Sequence, residues 1–493
     1  MDWPCCWRGT IVALLLAASQ LASATSSVNV DDLCRDMKIY VLDLQQLAKE
    51  KGHPGCNAED QVVVKTDTGV VYTTVEDHAK DKWGDKSPDH NAHHKLGTHS
   101  APWHFARAIS NSSCAAATME QADLIYVNDY CYYIWWLAAV HSHGAASDEL
   151  LVPANALLEG WESVFALPRW KASHGRDFIF YDAHPGFWGE GGTGRRRMDY
   201  QCNEMKNAIQ LIVDRPMRSP CKDFLDMSSL IITPNNPNAL HLDISATFRR
   251  RWVPLQHRDN LLYFNGGCGF GANMGKRFRL QTVFTVKAAH PQLASLGCSD
   301  GHLGGVHKAF EDMLHGMEHS NFCLALPGDS QSTRRLSEMF MAGCIPVFVG
   351  PPYNSMPFAH SIDYASVGVF FNVTRTASWL EFPVKWAMNK DDRPLHPQDA
   401  HWWLPDANVS HVMIQVDEVQ DIVPYLENMP EAEIERKLSL MHDYRFYMTF
   451  QDSLSGPSNA NHQLLKAIRA HLPLPTAADL RHRHLASTSS HFW

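Results

Sequence analysis

The chain has 493 residues, of which 45% are hydrophobic and 19% are charged; this globular composition excludes an intrinsically disordered protein and leaves room for two domains. Its 43 Lys and Arg residues against 53 Asp and Glu residues give a net charge of −10. No long basic run interrupts this acidic balance, so we expect no nucleic-acid partner and favour a neutral or weakly charged one.

The first segment, residues 1–24, has the features of a secretory signal peptide. It holds one cation, Arg8, then a short apolar run, and it ends on Ala22, Ser23 and Ala24. Because the apolar run is shorter than the roughly 20 residues of a membrane span, we predict cleavage after Ala24, with a short Golgi anchor as the alternative. The rest of the chain is then expected in the lumen of the secretory pathway, in the Golgi or secreted, with membrane contact at most through this segment.

Cysteines and glycosylation sequons agree with this compartment. Removal of the leader leaves ten cysteines, an even number suited to disulfides. Asn-x-Ser/Thr sequons predict N-glycosylation at Asn111, Asn372 and Asn408.

Short apolar runs alternate with helix-like segments through residues 30–245, which predicts a parallel α/β sheet. The runs lie at residues 39–42, 124–127, 178–181 and 230–233. Functional side chains of such sheets cluster beyond the carboxyl ends of the strands. Asp182 and His184 follow the third run, and we predict that one of them is a general base; loop capping or a structural hydrogen bond is the alternative role.

A second α/β unit is predicted over residues 255–425. Its first strand leads into Gly266 and Gly267, and the glycines that follow do not form a strict Gly-x-Gly-x-x-Gly. A dinucleotide fingerprint, and with it a nicotinamide oxidoreductase, is at best weakly supported, through the relaxed form that ends in Ala272. As a loop beside a bound nucleotide, this segment would let backbone approach the ligand while Arg277 or Lys276 meets phosphate. A plain glycine-rich surface loop explains the same residues.

The most informative stretch is residues 321–350, which indicates strand, turn, helix and strand. Ser332 and Thr333 are predicted to cap the helix, and Gly343 to end it. In a parallel βαβ unit the N-terminus of such a helix lies at the carboxyl edge of the sheet, where free N–H groups favour an anion. The turn before the helix belongs to this predicted site: Gly328, Asp329 and Ser330.

Three charged side chains follow at helical spacing. Arg334 and Arg335 lie four and three residues before Glu338, so all three project from neighbouring turns. We predict that the arginines neutralise a diphosphate and that the carboxylate accepts hydrogen bonds from ribose hydroxyls, as a nucleotide sugar would require. A surface salt bridge is the alternative.

Cys323 and Cys344 stand near the starts of the two strands of this unit. A βαβ unit aligns these ends about 4.8 Å apart if the strands are adjacent, which is within disulfide reach. We predict this disulfide, with free buried thiols as the alternative.

The sequence predicts no metal site. It has 28 histidines, but the cluster at His90, His93, His94 and His99 lacks a Cys partner or a His-Glu-x-x-His motif, so we predict a bare loop there. Asp-x-Asp is absent as well. No cofactor is therefore expected to be required, and Mn²⁺ is expected at most to stimulate.

The stretch around this helix resembles the donor-domain signature of the exostosin family, glycosyltransferase family 47, in its plant and algal branch. Weaker similarity in KIYVLDL, QADLIYVNDYCYYIWWL and LLYFNG extends it over roughly residues 38–371. The family's Trp-Asn-Arg and Gly-Gly-x-Asp-His segment is kept only in part, with Lys171 for the Asn and Phe178 for the last His. The donor signature is matched at Phe322, Cys323, Leu324, Pro327, Gly328, Asp329, Arg335, Leu336, Gly343, Cys344, Ile345, Pro346, Val347, Pro357 and Phe358.

This resemblance implies a GT-B architecture, an α/β fold with two Rossmann-like domains facing a central cleft, and an inverting glycosyltransferase. We therefore expect transfer of a hexose or pentose from a UDP-sugar to a glycan or glycoprotein in the secretory pathway. A catalytically inactive subunit that binds glycan or stabilises a partner transferase is the alternative, and a complex with itself or with another glycosyltransferase stays open. Helices within residues 430–472 are predicted to pack back on the cleft, ahead of a flexible tail at residues 473–493.

Overall fold

The structure is a computed structural model. The residues that it describes do not cover all of the predicted features. It describes residues 30–52, 62–66, 69–73, 101–133, 148–183, 199–213, 230–234, 251–268, 274–298, 310–328, 332–349, 356–375, 409–451, 453–454 and 458–472. The predictions for the leader, the histidine cluster, the tail, His184, Asp329, Ser330 and Asn408 lie outside these described residues.

Strands and helices alternate along most of the chain. The strands are β1 (Ile39–Asp43), β2 (Val62–Thr66), β3 (Gly69–Thr73), β4 (Leu124–Asn128), β5 (Phe178–Asp182), β6 (Ile209–Ile212), β7 (Leu230–Ile232), β8 (Asn260–Gly266), β9 (Leu296–Cys298), β10 (Ser320–Ala325), β11 (Ile345–Val349), β12 (Val369–Val373) and β13 (Ile414–Val416). The α-helices are α1 (Val30–Cys34), α2 (Leu44–Glu50), α3 (Ala101–Ser110), α4 (Asp148–Ala166), α5 (Pro168–Ser173), α6 (Met274–Ala289), α7 (Phe310–Glu318), α8 (Arg335–Ala342), α9 (Tyr364–Val367), α10 (Ile422–Glu427), α11 (Glu431–Tyr444) and α12 (Ala460–Arg469).

The first sheet contains five parallel strands in the order β1-β4-β5-β6-β7. Its inner strands are apolar runs because helices cover both faces, and all five residues of β5 are buried. Phe178 and Phe180 of β5 face one apolar cluster, whereas Ile179 and Tyr181 face another. Strands β2 and β3 pair separately as an antiparallel ribbon.

The second sheet contains six parallel strands in the order β13-β12-β11-β10-β8-β9. The chain first adds β9 on one side of β8 and then adds β10 to β13 on the other side. This reversal creates a topological switch point between β8 and β10, and ligands of open α/β sheets bind at the carboxyl edge of such a point.

Two parallel sheets covered by helices make this an α/β fold of the GT-B type, so the predicted fold class is confirmed. The first sheet lies within residues 39–232 and the second within residues 260–416. The domain boundaries themselves stay predictions.

The last helix that the structure describes packs against the first sheet. Helix α12 contacts α1, α3 and β7. Arg469 fixes this contact, since its Nη1 donates to the Leu33 carbonyl oxygen at 3.1 Å and its Nη2 lies 3.3 Å from Asp36 Oδ2. Between α11 and α12, the ring of Phe450 lies 6.2 Å from that of Tyr181, at the carboxyl end of β5.

Disulfides close three links within the described residues. Cys323 is bonded to Cys344, as predicted, because β10 and β11 are adjacent and the two Cα atoms lie 5.7 Å apart. The other links are Cys34–Cys114 and Cys268–Cys298. Cys131 and Cys202 are disulfide-bonded as well.

None of the helices in the described part of the chain combines the length and the apolar composition that crossing a membrane requires.

Candidate functional site

Helix α8 starts later than its sequence suggests. It begins at Arg335, and Arg334 occupies the N-cap position without a side-chain capping bond, so the predicted capping by Ser332 and Thr333 is wrong. The backbone explains the delay. The carbonyl oxygen of Ser332 accepts a hydrogen bond from the Gly328 N–H at 2.9 Å, and this bond closes the turn after β10 before the helix starts.

Glycines fix both ends of this turn-and-helix unit. A Cβ atom on Gly328 would lie 2.9 Å from the Ser332 carbonyl oxygen, so a side chain there would open the turn. Gly343 ends α8 in the left-handed conformation, with a φ of 71°, as predicted. The residues of α8 from Leu336 to Ala342 are all buried, so the helix is held on every side.

The charged side chains of α8 form a buried cluster. Arg335 Nη1 lies 2.6 Å from Glu338 Oε2, and Arg334 Nε lies 3.5 Å from Glu338 Oε1. The Glu338 side chain is 0% exposed, whereas those of Arg335 and Arg334 are 12% and 26% exposed. This is therefore not a surface salt bridge, because the carboxylate is enclosed and only the arginines reach solvent.

One oxygen of this carboxylate lacks a hydrogen bond. Glu338 Oε1 is buried and has no hydrogen-bond partner in the described part of the protein, with Arg334 Nε as its neighbour at 3.5 Å. Buried polar atoms without a partner are rare, because leaving such an atom unsatisfied costs about 1–3 kcal/mol or more for a charged group. A ligand hydroxyl would satisfy it.

The glycine-rich loop after β8 is linked to the turn after β10 by a residue that the sequence did not single out. Arg279, in α6, donates from Nη1 to the Gly267 carbonyl oxygen at 3.1 Å. Its guanidinium also borders Gly266 and Gly328, since Cβ atoms built there would lie 3.6 Å from Nη1 and 3.5 Å from Nη2. Arg279 thus links the loops after β8 and β10 and places a positive charge at the switch point.

Of the basic residues predicted beside this loop, Arg277 lies in the first turn of α6, and its side chain is not among those described. Arg279 comes two residues later. It could have been singled out only from the strand order, which puts the ends of β8 and β10 side by side.

In the first sheet, Asp182 is the last residue of β5 and is buried. Its Oδ2 accepts a hydrogen bond from Gln201 Nε2 at 2.9 Å. Asp129 follows β4 and is also buried, and its Oδ2 accepts from Trp161 Nε1 at 2.9 Å. Both carboxylates line one small cavity.

The register explains why these two carboxylates meet. Strand β4 pairs with β5 so that Ile125 faces Phe178 and Tyr126 faces Ile179. Continuing this register places Asp129 beside Asp182. Asp129 was not among the predicted site residues, although it follows a strand just as Asp182 ends one.

The predicted glycosylation sites that are described lie on the surface. Asn111 and Asn372 are both exposed, and Asn372 Nδ2 donates to Gln415 Oε1 at 2.7 Å on the neighbouring strand. In the described ranges, no group of three His, Cys, Asp or Glu side chains is arranged to hold a metal ion.

Two parallel sheets, with a cluster of arginines and a buried carboxylate at the switch point of the second, define an α/β protein of the GT-B class. The chain belongs to the exostosin family, because the model of the Exostosin GT47 domain matches residues 33–384. Membership of this family implies that the protein is a glycosyltransferase. No curated protein matches the chain in a sequence search.

Proposed function

We propose that this protein transfers a sugar from a UDP-sugar to a glycan or glycoprotein acceptor, with inversion at the anomeric carbon. Family membership supports glycosyl transfer. The observation that carries the choice of a nucleotide-sugar donor is the Glu338 carboxylate, which is enclosed between two arginines and has one oxygen without a hydrogen-bond partner among the described residues.

The donor would lie across the carboxyl edge of the second sheet. Glu338 Oε1 would accept a hydrogen bond from a ribose hydroxyl, and Arg335 and Arg279 would face the diphosphate. Negative charge on the diphosphate grows as its bond to the sugar breaks, and fixed guanidinium groups stabilise that charge without reorganising. Gly266, Gly267 and Gly328 would let backbone approach the ligand.

Inversion requires a base on the opposite face of the donor sugar. The acceptor oxygen attacks the anomeric carbon, its proton passes to the base, and the bond to the UDP oxygen breaks. Asp182 and His184 remain our proposals for this base. Asp182 is supported by its place at the carboxyl end of β5, where it shares a cavity with Asp129.

We further propose that the protein works in the lumen of the secretory pathway, with N-glycans on its exposed sequons and without a required metal. The disulfides within the described residues support an oxidising compartment.

UDP binding and turnover test this proposal together. Purified protein is titrated with UDP by calorimetry, and a panel of UDP-sugars is then screened for UDP release with and without candidate glycans. The expected result is that the protein binds UDP and releases UDP from one of the UDP-sugars faster than from the others. Binding without turnover of any donor would favour the inactive-subunit alternative, and absence of UDP binding would overturn the proposal.

A further inference from the structure

Tyr263 reaches from the second sheet to α7, the helix that packs against α8. It lies in β8, opposite Cys323 of β10, and its side chain is almost completely buried. Its ring rests on the backbone of α7 at Gly316. A Cβ atom built on Gly316 would lie 2.3 Å from Cε2, 2.7 Å from Cζ and 2.8 Å from the hydroxyl oxygen of Tyr263. Residue 316 must therefore be a glycine while the ring keeps its place.

The same face of α7 supports the donor cluster. Met313 lies three residues before Gly316, and its sulfur contacts Arg335 Nη1, the atom that also donates to Glu338 Oε2 at 2.6 Å. Helix α7 contacts both α8 and β8. The Tyr263 ring therefore packs on α7 at Gly316. One turn earlier, Met313 of the same helix contacts the Arg335–Glu338 pair.

The charges of Arg335 and Glu338 affect the pKa of the Tyr263 phenol. Burial raises the pKa of Tyr263 to about 12, Arg335 acts to lower it, and Glu338 and Asp312 act to raise it. The phenol is therefore neutral at physiological pH, and it lies close enough to the Arg335–Glu338 pair to feel both charges.

We propose that Tyr263 is a positioning residue of the donor site, held by Gly316, and that its ring fixes the position of α7 against β8, on which the placement of Arg335 and Glu338 through Met313 depends. This inference rests on the proposed donor site. Binding groups displaced by about 1 Å can lose as much as a hundredfold in function, so a small shift of the ring should be measurable.

A glycine substitution with a matched control tests the role of the ring. Gly316→Ala places a methyl group against Tyr263. Gly160→Ala does the same in the first sheet unit, where the new Cβ would lie 2.8 Å from Leu44 Cδ2, away from the donor helix. By calorimetry, UDP affinity should fall roughly tenfold or more in Gly316→Ala and stay within about twofold of wild type in Gly160→Ala. Equal affinity in the two variants would overturn the inference.

Two further variants keep the test decisive if Gly316→Ala folds poorly. Tyr263→Leu removes Cε2 and Cζ and should weaken UDP binding roughly tenfold by itself. Adding Gly316→Ala to it should cause little further loss, because the atoms that collide are gone. Wild-type affinity in Tyr263→Leu, or losses that multiply to about a hundredfold in the double variant, would refute the positioning role.

Failure of this inference is distinguishable from failure of the proposed function. If wild-type protein binds UDP and Glu338→Ala binds it more weakly, the donor site stands and the Tyr263 variants decide the inference alone. If wild-type protein does not bind UDP, both proposals are overturned.

Discussion

In Glu338→Ala, Arg334 and Arg335 lose the carboxylate between them, and a donor bound as we propose loses its hydrogen-bond acceptor. A hydrogen bond to a charged group contributes about 1.5–3 kcal/mol. Since each 1.4 kcal/mol changes affinity tenfold, loss of one such bond should weaken UDP binding by about one to two powers of ten. The atom responsible is Oε1, because Oε2 is already engaged by Arg335 at 2.6 Å.

The same substitution should also destabilise the fold. Removing one partner of a fully buried ion pair costs about 3–5 kcal/mol. Arg335 and Arg334 keep 12% and 26% of their side-chain surface exposed, so water can solvate them in part, and we expect a loss of about 3 kcal/mol or less. UDP should restore part of the lost melting temperature, since it stabilises whatever folded protein it binds.

Glu433→Ala is the matched control for Glu338→Ala. Glu433 also pairs with two cations on one helix, Arg436 at 2.7 Å and Lys437 at 3.5 Å, with the same spacings of three and four residues. The Glu433 and Arg436 side chains are 36% and 47% exposed, however, and an exposed pair of this kind contributes about 0–1 kcal/mol. The Lys437 side chain is 8% exposed, and its Nζ also donates to the Gly368 carbonyl oxygen at 2.9 Å, so it keeps a partner in the variant. UDP affinity should be unchanged in this variant.

Glu338→Gln separates charge from shape. The amide oxygen would turn toward Arg335, which leaves the amide nitrogen in the place of Oε1, the atom that we propose accepts from the ribose. The variant should fold better than Glu338→Ala but still bind UDP more weakly than wild type. UDP affinity equal to wild type in both variants, with melting temperatures showing a folded protein, would return Glu338 to a purely structural role.

Three other predictions follow from the site and its surroundings. Arg279→Ala should weaken UDP binding about tenfold and uridine binding much less, because the guanidinium is expected to face phosphate; equal losses by calorimetry would contradict this placement. Transferase activity should survive EDTA, and activity that EDTA abolishes and Mn²⁺ alone restores would mean that metal ligands exist outside the described residues. Burial lowers the pKa of His462, so the unfolded chain binds more protons below about pH 6.5 and the melting temperature should fall on acidification from pH 7.5 to 5.5. His462→Gln should reduce this pH dependence while keeping the hydrogen bond that His462 Nδ1 accepts from the Asn459 N–H; an unchanged slope would exclude His462 as its source.

Where strands are apolar on both faces, their positions could be predicted from sequence. The runs at residues 39–42, 124–127 and 178–181 lie inside β1, β4 and β5, and residues 345–349 coincide with β11. Strand β6 was missed because Gln210 interrupts its apolar run. In the structure this glutamine is buried, and its amide donates to the Met205 carbonyl oxygen at 2.9 Å, a tertiary contact that composition cannot show.

Within the site, contacts between residues that are close in the sequence could be predicted from their spacing. Arg335 and Glu338 meet because three residues make nearly one helical turn, and Cys323 reaches Cys344 because their strands are neighbours. Arg279 and Asp129 were missed because their roles depend on strand order and register, which link distant segments. The start of α8 was misplaced because the Gly328–Ser332 hydrogen bond competes with helical capping.

The Cys323–Cys344 disulfide encloses the whole donor helix in a covalent loop of about twenty residues. Closing a loop of this size lowers the entropy of the unfolded chain by an amount worth about 3 kcal/mol. The folded state that carries the charged side chains of this unit therefore depends for part of its stability on an oxidation step that occurs after synthesis. Protein made in a reducing host would lack this contribution, so the redox history of a preparation should determine which fraction of it is folded and able to bind UDP as proposed.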